Sequence, residues 1–388
     1  MNRGLMALLV GVLFLASASL VSAEEYPGPL VSMDWVQERL DTIKDPTQTE
    51  IRLVEVSKSD SYKKGHIPGA VNVKWSSEVF LPYTNRMVLD YASMKYVMRK
   101  LGVTPDTHIV IYGDSLTQAT RFYWTLKFWN VEKISVMDGT KSAWKAEGRP
   151  LTTEVPDVEP LDYPLKYPPN GKIYAVKEFD VMRGLATGKV IFVDTRPKAY
   201  YDGKKFSVSK WVRSGHIPGA IQWSAPEEVS KNGKFLPVEE LKKMAEEKGI
   251  TGDKEIIVYC NTGVRSSTTW FILSELLGYE KVKNYDGSLR EWANEFYLPM
   301  EPDSFNVYKD FPKTPLQELK EASDANAEKV AALEKEVADL KKQLEETKQI
   351  AEAAKAEGKG VCGPTSVALL AALPLAGYAL RRRFMKKN

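Results

Sequence analysis

Gly65-His66-Ile67-Pro68-Gly69-Ala70 is written a second time, unchanged, as Gly215-His216-Ile217-Pro218-Gly219-Ala220. Working outward, the apolar run Ile109 to Tyr112 is matched by Ile256 to Tyr259. Met137-Asp138-Gly139 ahead of Trp144 is matched by Tyr285-Asp286-Gly287 ahead of Trp292. Three landmarks in the same order at a nearly constant offset describe a duplicated domain and not a short-period solenoid. In the second copy, Val190 to Asp194 and Ile256 to Tyr259 read as strands, and stretches near Val238 to Lys248 and Ser267 to Leu277 read as amphipathic helices. Such alternation predicts an α/β fold in which each copy is a parallel sheet flanked by helices. The expected organisation is a first copy over 28–150, a linker rich in proline and acidic residues over 151–171, and a second copy over 172–302.

Cys260 follows the strand-like run Ile256 to Tyr259 and heads the loop Cys260-Asn261-Thr262-Gly263-Val264-Arg265. Ser266 and Ser267 can cap the helix that follows, whose apolar residues Trp270, Leu273, Leu276 and Leu277 recur at helical spacing before Gly278. Active sites of parallel sheets lie at the carboxyl ends of their strands, where Cys260 falls. Loop amides, the positive end of a helix and the Arg265 guanidinium together favour a thiolate over a thiol, which points to covalent chemistry at sulfur. The position after Tyr112 in the first copy is Gly113, so that copy lacks a nucleophile and reads as scaffold.

Composition narrows the rest. The chain has 388 residues with 54 basic and 51 acidic side chains, and no single-sign field argues for nucleic acid. Two cysteines, Cys260 and Cys362, exclude a disulfide framework. Neither a cofactor nor a metal is expected. Residues 1–23 carry Arg3, the apolar run Leu5 to Leu20 and small residues Val21, Ser22 and Ala23, as a secretory signal does.

At the other end, Val361 to Leu380 is apolar apart from Thr365 and Ser366 and is followed by Arg381, Arg382 and Arg383. That asymmetry reads 361–388 as a membrane anchor with the bulk of the chain outside. Between them, residues 316–357 place Leu316, Leu319, Val330, Leu333, Val337, Leu340, Leu344, Ala351 and Ala354 on one heptad frame, interrupted by Ser323, Asn326 and Thr347. Glu and Lys fill most other positions, as in a coiled-coil stalk capable of self-association. About forty residues at ~1.5 Å each would extend on the order of 60 Å.

The duplicated Gly-His-Ile-Pro-Gly-Ala element, the Cys260-headed loop, and the Asp-Gly then Trp signature resemble the two-domain rhodanese-like sulfurtransferases, which include thiosulfate and mercaptopyruvate sulfurtransferases. The resemblance spans about Pro29 to Pro302. It implies tandem rhodanese-like domains and a Cys260 nucleophile that takes a sulfane sulfur, holds it as a persulfide, and passes it to cyanide or a thiol. It further implies that Asn261, Thr262, Gly263, Val264 and Arg265 cradle the donor anion and that Arg196, in the Asp194-Thr195-Arg196 element, helps to bind it. Partners are then a small anionic sulfur donor and a thiophilic acceptor, with thiosulfate favoured over mercaptopyruvate.

A non-enzymatic sulfane-sulfur carrier at the cell surface is the alternative. A phosphatase is disfavoured, because related phosphatases resemble a loop one residue longer than the four residues between Cys260 and Arg265. Cys362-Gly363-Pro364 ahead of the apolar tail is similar to C-terminal sorting signals of some archaeal surface proteins, which implies lipid attachment at Cys362. His66 and His216, sharing one place in both copies, read as turn-stabilising residues, and His108 has no partner legible in the sequence.

Overall fold

The computed structural model describes residues 26–81, 84, 86–205, 213–225, 227–305 and 315–356. The expected signal segment 1–23, the anchor segment 361–388 and Cys362 lie outside the described residues. No helix among the described residues is long and apolar enough to cross a membrane. The chain divides into a unit ending at Val307 and a second unit from Tyr308 onward.

The first copy is a five-stranded parallel sheet in the order Leu30–Val31, Ile134–Met137, His108–Gly113, Ile51–Ser57, Val71–Lys74. Every residue of Ile51–Ser57 and His108–Gly113 is buried. That is the signature of parallel strands covered on both faces. The second copy repeats the order with Val282–Asn284, Glu255–Tyr259, Val190–Asp194 and Ile221–Gln222, again parallel. Tyr174 bridges Asn284 in parallel, at the sheet edge that Leu30–Val31 occupies in the first copy.

Helix Leu116–Phe128 follows Gly113 and opens with a capping box, Ser115 with Gln118. Every residue from Ala119 to Leu126 is buried, because the helix lies between its own sheet and the second copy. A helix buried all round cannot stand alone. One hydrophobic core accordingly runs through both copies, from Val54 and Ile111 to Val193, Val258 and Trp270, while each copy closes its outer sheet face with a separate cluster. The segment between the copies is also tied down. Thr152 pairs with His66, and Tyr163 and Leu165 sit in the shared core.

The expected helix over Ser267 to Leu277 differs in detail. It runs α-helical over Ser266–Trp270 and then widens to a π-helical turn, Phe271–Leu276. Ser266 and Ser267 do not cap it. Both are buried inside the helix, where the Ser266 hydroxyl donates to Asn284 Oδ1 at 2.7 Å and the Ser267 hydroxyl to the Val264 carbonyl at 2.7 Å.

The repeated element has one role in both copies. The Ile67 N–H donates to the Tyr112 hydroxyl at 2.9 Å and the Ile217 N–H to the Tyr259 hydroxyl at 3.0 Å, tying the element to the strand that precedes each loop. His66 stacks on Tyr62 and His216 on Tyr201, each with ring centroids 3.7 Å apart, and each Nδ1 donates to the carbonyl of the same tyrosine. His108 does have a partner, the Ser135 hydroxyl at 2.7 Å from its Nε2.

Candidate active site

Cys260 stands directly beyond the strand Glu255–Tyr259 and is 2% exposed. The Thr262 N–H donates toward its Sγ at 3.4 Å. The amides of Cys260 and Gly263 turn instead to the Ser288 hydroxyl, at 3.1 and 2.8 Å, and that hydroxyl donates to the Tyr285 carbonyl at 2.6 Å. The loop carbonyls are fixed as well. The Leu289 N–H donates to the Cys260 carbonyl, the Arg290 N–H to that of Asn261, and the Asn284 side-chain amide to that of Gly263. A loop held at this many points presents its donors without reorganising during a reaction.

Two backbone features make that possible. Gly263 has φ +67°, and a Cβ there would come within 2.5 Å of Asp286 Oδ1 and 2.7 Å of its Cα. Only glycine lets the loop lie this close to residue 286. Ser288 adopts φ 49° although it is not glycine, and a left-handed non-glycine residue marks a position held by its surroundings. Its first-copy counterpart, Thr140, is an ordinary N-cap that accepts from the Ala143 N–H at 3.2 Å. The turn at Ser288 is what brings its hydroxyl onto the cysteine loop.

The first copy reaches into this site. Arg121, from helix Leu116–Phe128, is fully buried and donates to Asp286 Oδ1 at 2.6 Å, to the Gly263 carbonyl at 3.1 Å and to the Arg86 carbonyl at 3.1 Å. Asp286 also accepts from the Val88 N–H at 2.7 Å. The other Asp-Gly pair does the converse, since Asp138 of the first copy accepts from the Phe235 N–H of the second. Reading the sequence missed Arg121 and Ser288. A charge inside the otherwise apolar run Ala119 to Leu126, and a residue matched to a cap but turned to another use, were the available signals.

The two arginines expected at the donor site are both engaged. Arg196 is buried and binds Asp194 through Nε and Nη2 and the Gly215 carbonyl at 2.7 Å. Burial works against its charge, but the attraction of Asp194, Tyr259 and Cys260 outweighs that and raises its affinity for the proton. Arg196 therefore lies within electrostatic reach of the sulfur while its guanidinium faces Asp194. Arg265 donates to the Ala225 carbonyl at 2.6 Å and to both oxygens of Glu227 at 2.5 Å. Burial pushes the Glu227 carboxyl up, and the hydrogen bonds and charge of Arg265, with the hydrogen bonds from its own backbone and Ser224, together more than offset it, leaving Glu227 below its ordinary range. Asn261 Oδ1 is buried without a hydrogen-bond partner, and Val264 packs into the shared core.

The matching place in the first copy is closed. A Cβ on Gly113 would come within 2.7 Å of the Val56 carbonyl. Lys141 spans the loop, 2.7 Å from Glu55 and 3.1 Å from Asp114, almost out of solvent.

The rhodanese-like domain family matches this chain twice, over residues 32–147 and 180–295. The chain belongs to that family and is a rhodanese-like transferase whose general chemistry is sulfur transfer. It is 38% identical over 285 residues to a sulfur carrier protein, TtuD, of Thermus thermophilus, covering 71% of this chain and 97% of that one. It is 36% identical over 282 residues to a protein of Haloferax volcanii named, provisionally, a thiosulfate sulfurtransferase, covering 70% and 96%. Among solved structures, the 3-mercaptopyruvate sulfotransferase SseA of Escherichia coli superposes with a TM-score of 0.57 at 29% identity, over 67% of this chain and 98% of that one.

Proposed function

We propose that the protein moves sulfane sulfur from thiosulfate to a thiophilic acceptor through a persulfide on Cys260. The Cys260 thiolate attacks the outer sulfur of thiosulfate. A sulfur–sulfur bond forms at Sγ, the one in the donor breaks, and sulfite leaves with the electron pair. Cyanide or a thiolate then attacks the outer sulfur of the persulfide, and the thiolate of Cys260 leaves.

The observation that carries this reading is the Thr262 N–H aimed at Cys260 Sγ, in a loop whose Cys260 and Gly263 amides are held by Ser288 and whose Gly263 carbonyl is held by Asn284 and Arg121. A pinned loop can hold the developing charge on sulfur with fixed dipoles. Cys260, the one free cysteine among the described residues, needs no metal or organic cofactor for these two displacements.

In this reading Arg265 meets the donor anion once Glu227 yields it, and Arg196 contributes its field from within the domain. The sulfur carrier among its relatives supports a second reading, in which the acceptor is a protein thiol and the persulfide is handed on rather than turned over on cyanide. The compositions of 1–23 and 361–388 support export and tethering at the outer face of a membrane, with Cys362 as the candidate lipid site.

The test is a steady-state assay of the purified chain with thiosulfate and cyanide, following thiocyanate. Turnover in the wild type and none in Cys260→Ser is expected. Absent turnover in the wild type with no persulfide formed, or equal turnover in the variant, overturns the proposal.

A further inference from the structure

The 42-residue helix Pro315–Ala356 carries Val330, Leu333, Val337, Leu340 and Leu344 in a 3-4-3-4 spacing, and these side chains are between 37% and 53% exposed. Residues so spaced share one helix face. A strict seven-residue repeat is kept when the seam meets another helix that follows it.

The identity of the seam residues specifies the partner. Valine at 330 and 337, followed by Leu344, occupies one seam position, and leucine at 333 and 340 the other. β-Branched residues at the first and leucine at the second favour two parallel strands.

The flanking charges agree. In a parallel pair with matched register, each residue before a valine position faces the residue five places on in the other chain. Lys329 then faces Glu334 of the second copy, and Glu336 faces Lys341 of the second copy. An antiparallel arrangement breaks both pairs. Asn326 lies on the seam and meets its own equivalent only when the chains are in register. The Thr347 hydroxyl, also on the seam, is satisfied within its own helix by the Gln343 carbonyl at 2.7 Å.

We infer that this segment pairs with the same segment of a second copy as a parallel, in-register, two-stranded coiled coil. Each particle then holds two Cys260 sites, and both chains leave the rod at the same end. Should 361–388 anchor the chain, the two anchors act together, which strengthens membrane retention without a new contact.

The full chain with Cys260→Ser and Cys362→Ser provides the background for single thiols at Leu333→Cys, Leu340→Cys and, on the outer face, Lys342→Cys. Under mild oxidation the first two should each give an interchain disulfide, since only facing seam positions bring the two Cβ atoms close enough, and the third should not. Sedimentation equilibrium of the wild type should give twice the chain mass, and Leu333→Lys with Leu340→Lys should give a monomer whose turnover per chain is unchanged. Lys341→Glu should weaken association roughly tenfold, and Glu336→Lys in the same chain should restore it. A monomeric wild type at micromolar concentration, a trimer mass, or cross-linking at only one of the two seam positions would overturn the inference.

Discussion

Replacing Arg121 with methionine removes a guanidinium that crosses from the first copy into the Cys260 loop of the second. Asp286 is fully buried and would keep only the Val88 N–H among its described partners. Breaking a buried ion pair from one side costs about 3–5 kcal/mol, because the remaining charge is left uncompensated. The Gly263 carbonyl keeps the Asn284 amide, so its loss adds at most about 1 kcal/mol.

Urea denaturation of Arg121→Met should therefore show a loss near 4 kcal/mol. Asp286→Asn in the same chain removes the stranded charge, and the pair should recover on the order of 2 kcal/mol as a coupling energy. Turnover measured well below the unfolding midpoint should also fall, because the carbonyl of Gly263 loses its interdomain anchor. A loss under about 1 kcal/mol for the single variant, or a coupling near zero, would refute support of the Cys260 loop by the first copy through this contact.

Four further outcomes follow from the same geometry. Ser288→Ala strands the Cys260 and Gly263 amides. It should cost about 1–3 kcal/mol in denaturation and lower kcat more than KM, since the loop and not the donor contact is disturbed. Gly113→Cys should give a chain with no added thiocyanate-forming capacity when combined with Cys260→Ser, because the Val56 carbonyl and the Lys141 pairs occupy the space.

Glu227→Gln frees Arg265, and an exposed pair worth up to about 1 kcal/mol translates into a two- to fivefold lower KM for thiosulfate, with Arg265→Ala moving it the other way. The same carboxylate fixes a pH dependence. Its folded-state affinity for protons is below the unfolded one, so its stabilisation is present above the unfolded value of about 4.3 and is lost as pH falls through the folded value. A thermal-unfolding series in acid should be flatter for Glu227→Gln by less than about 1 kcal/mol, Glu227 being half exposed.

Much of this architecture is legible in the sequence because it is local or repeated. The strand Val190–Asp194 lies where its apolar run ends, and the matched landmarks lead to two sheets with one strand order. The site is less legible because it is assembled from distant segments. Arg121 reaches Asp286 across 165 positions, and no local pattern records that contact. Ser266 and Ser267 have the composition of caps, yet packing of their helix against Leu116–Phe128 buries both, and Asn284 and the Val264 carbonyl take their hydroxyls. Arg196 and Arg265 read as open cations, since a sequence does not show that Asp194 and Glu227 are already in place against them. The absence of a cysteine after Tyr112 is legible in Gly113, whereas the crowding a side chain would meet there comes from the Val56 carbonyl, which no local pattern records.

Cys260 is proposed to carry the transferred sulfur. Peptide mass analysis of the intact chain after exposure to thiosulfate, before any acceptor is added, tests it most directly. A gain of one sulfur atom confined to the Cys260 peptide, and lost on addition of cyanide, is the expected result. No gain there, or an equal gain on the Cys362 peptide that persists in Cys260→Ser, would contradict it.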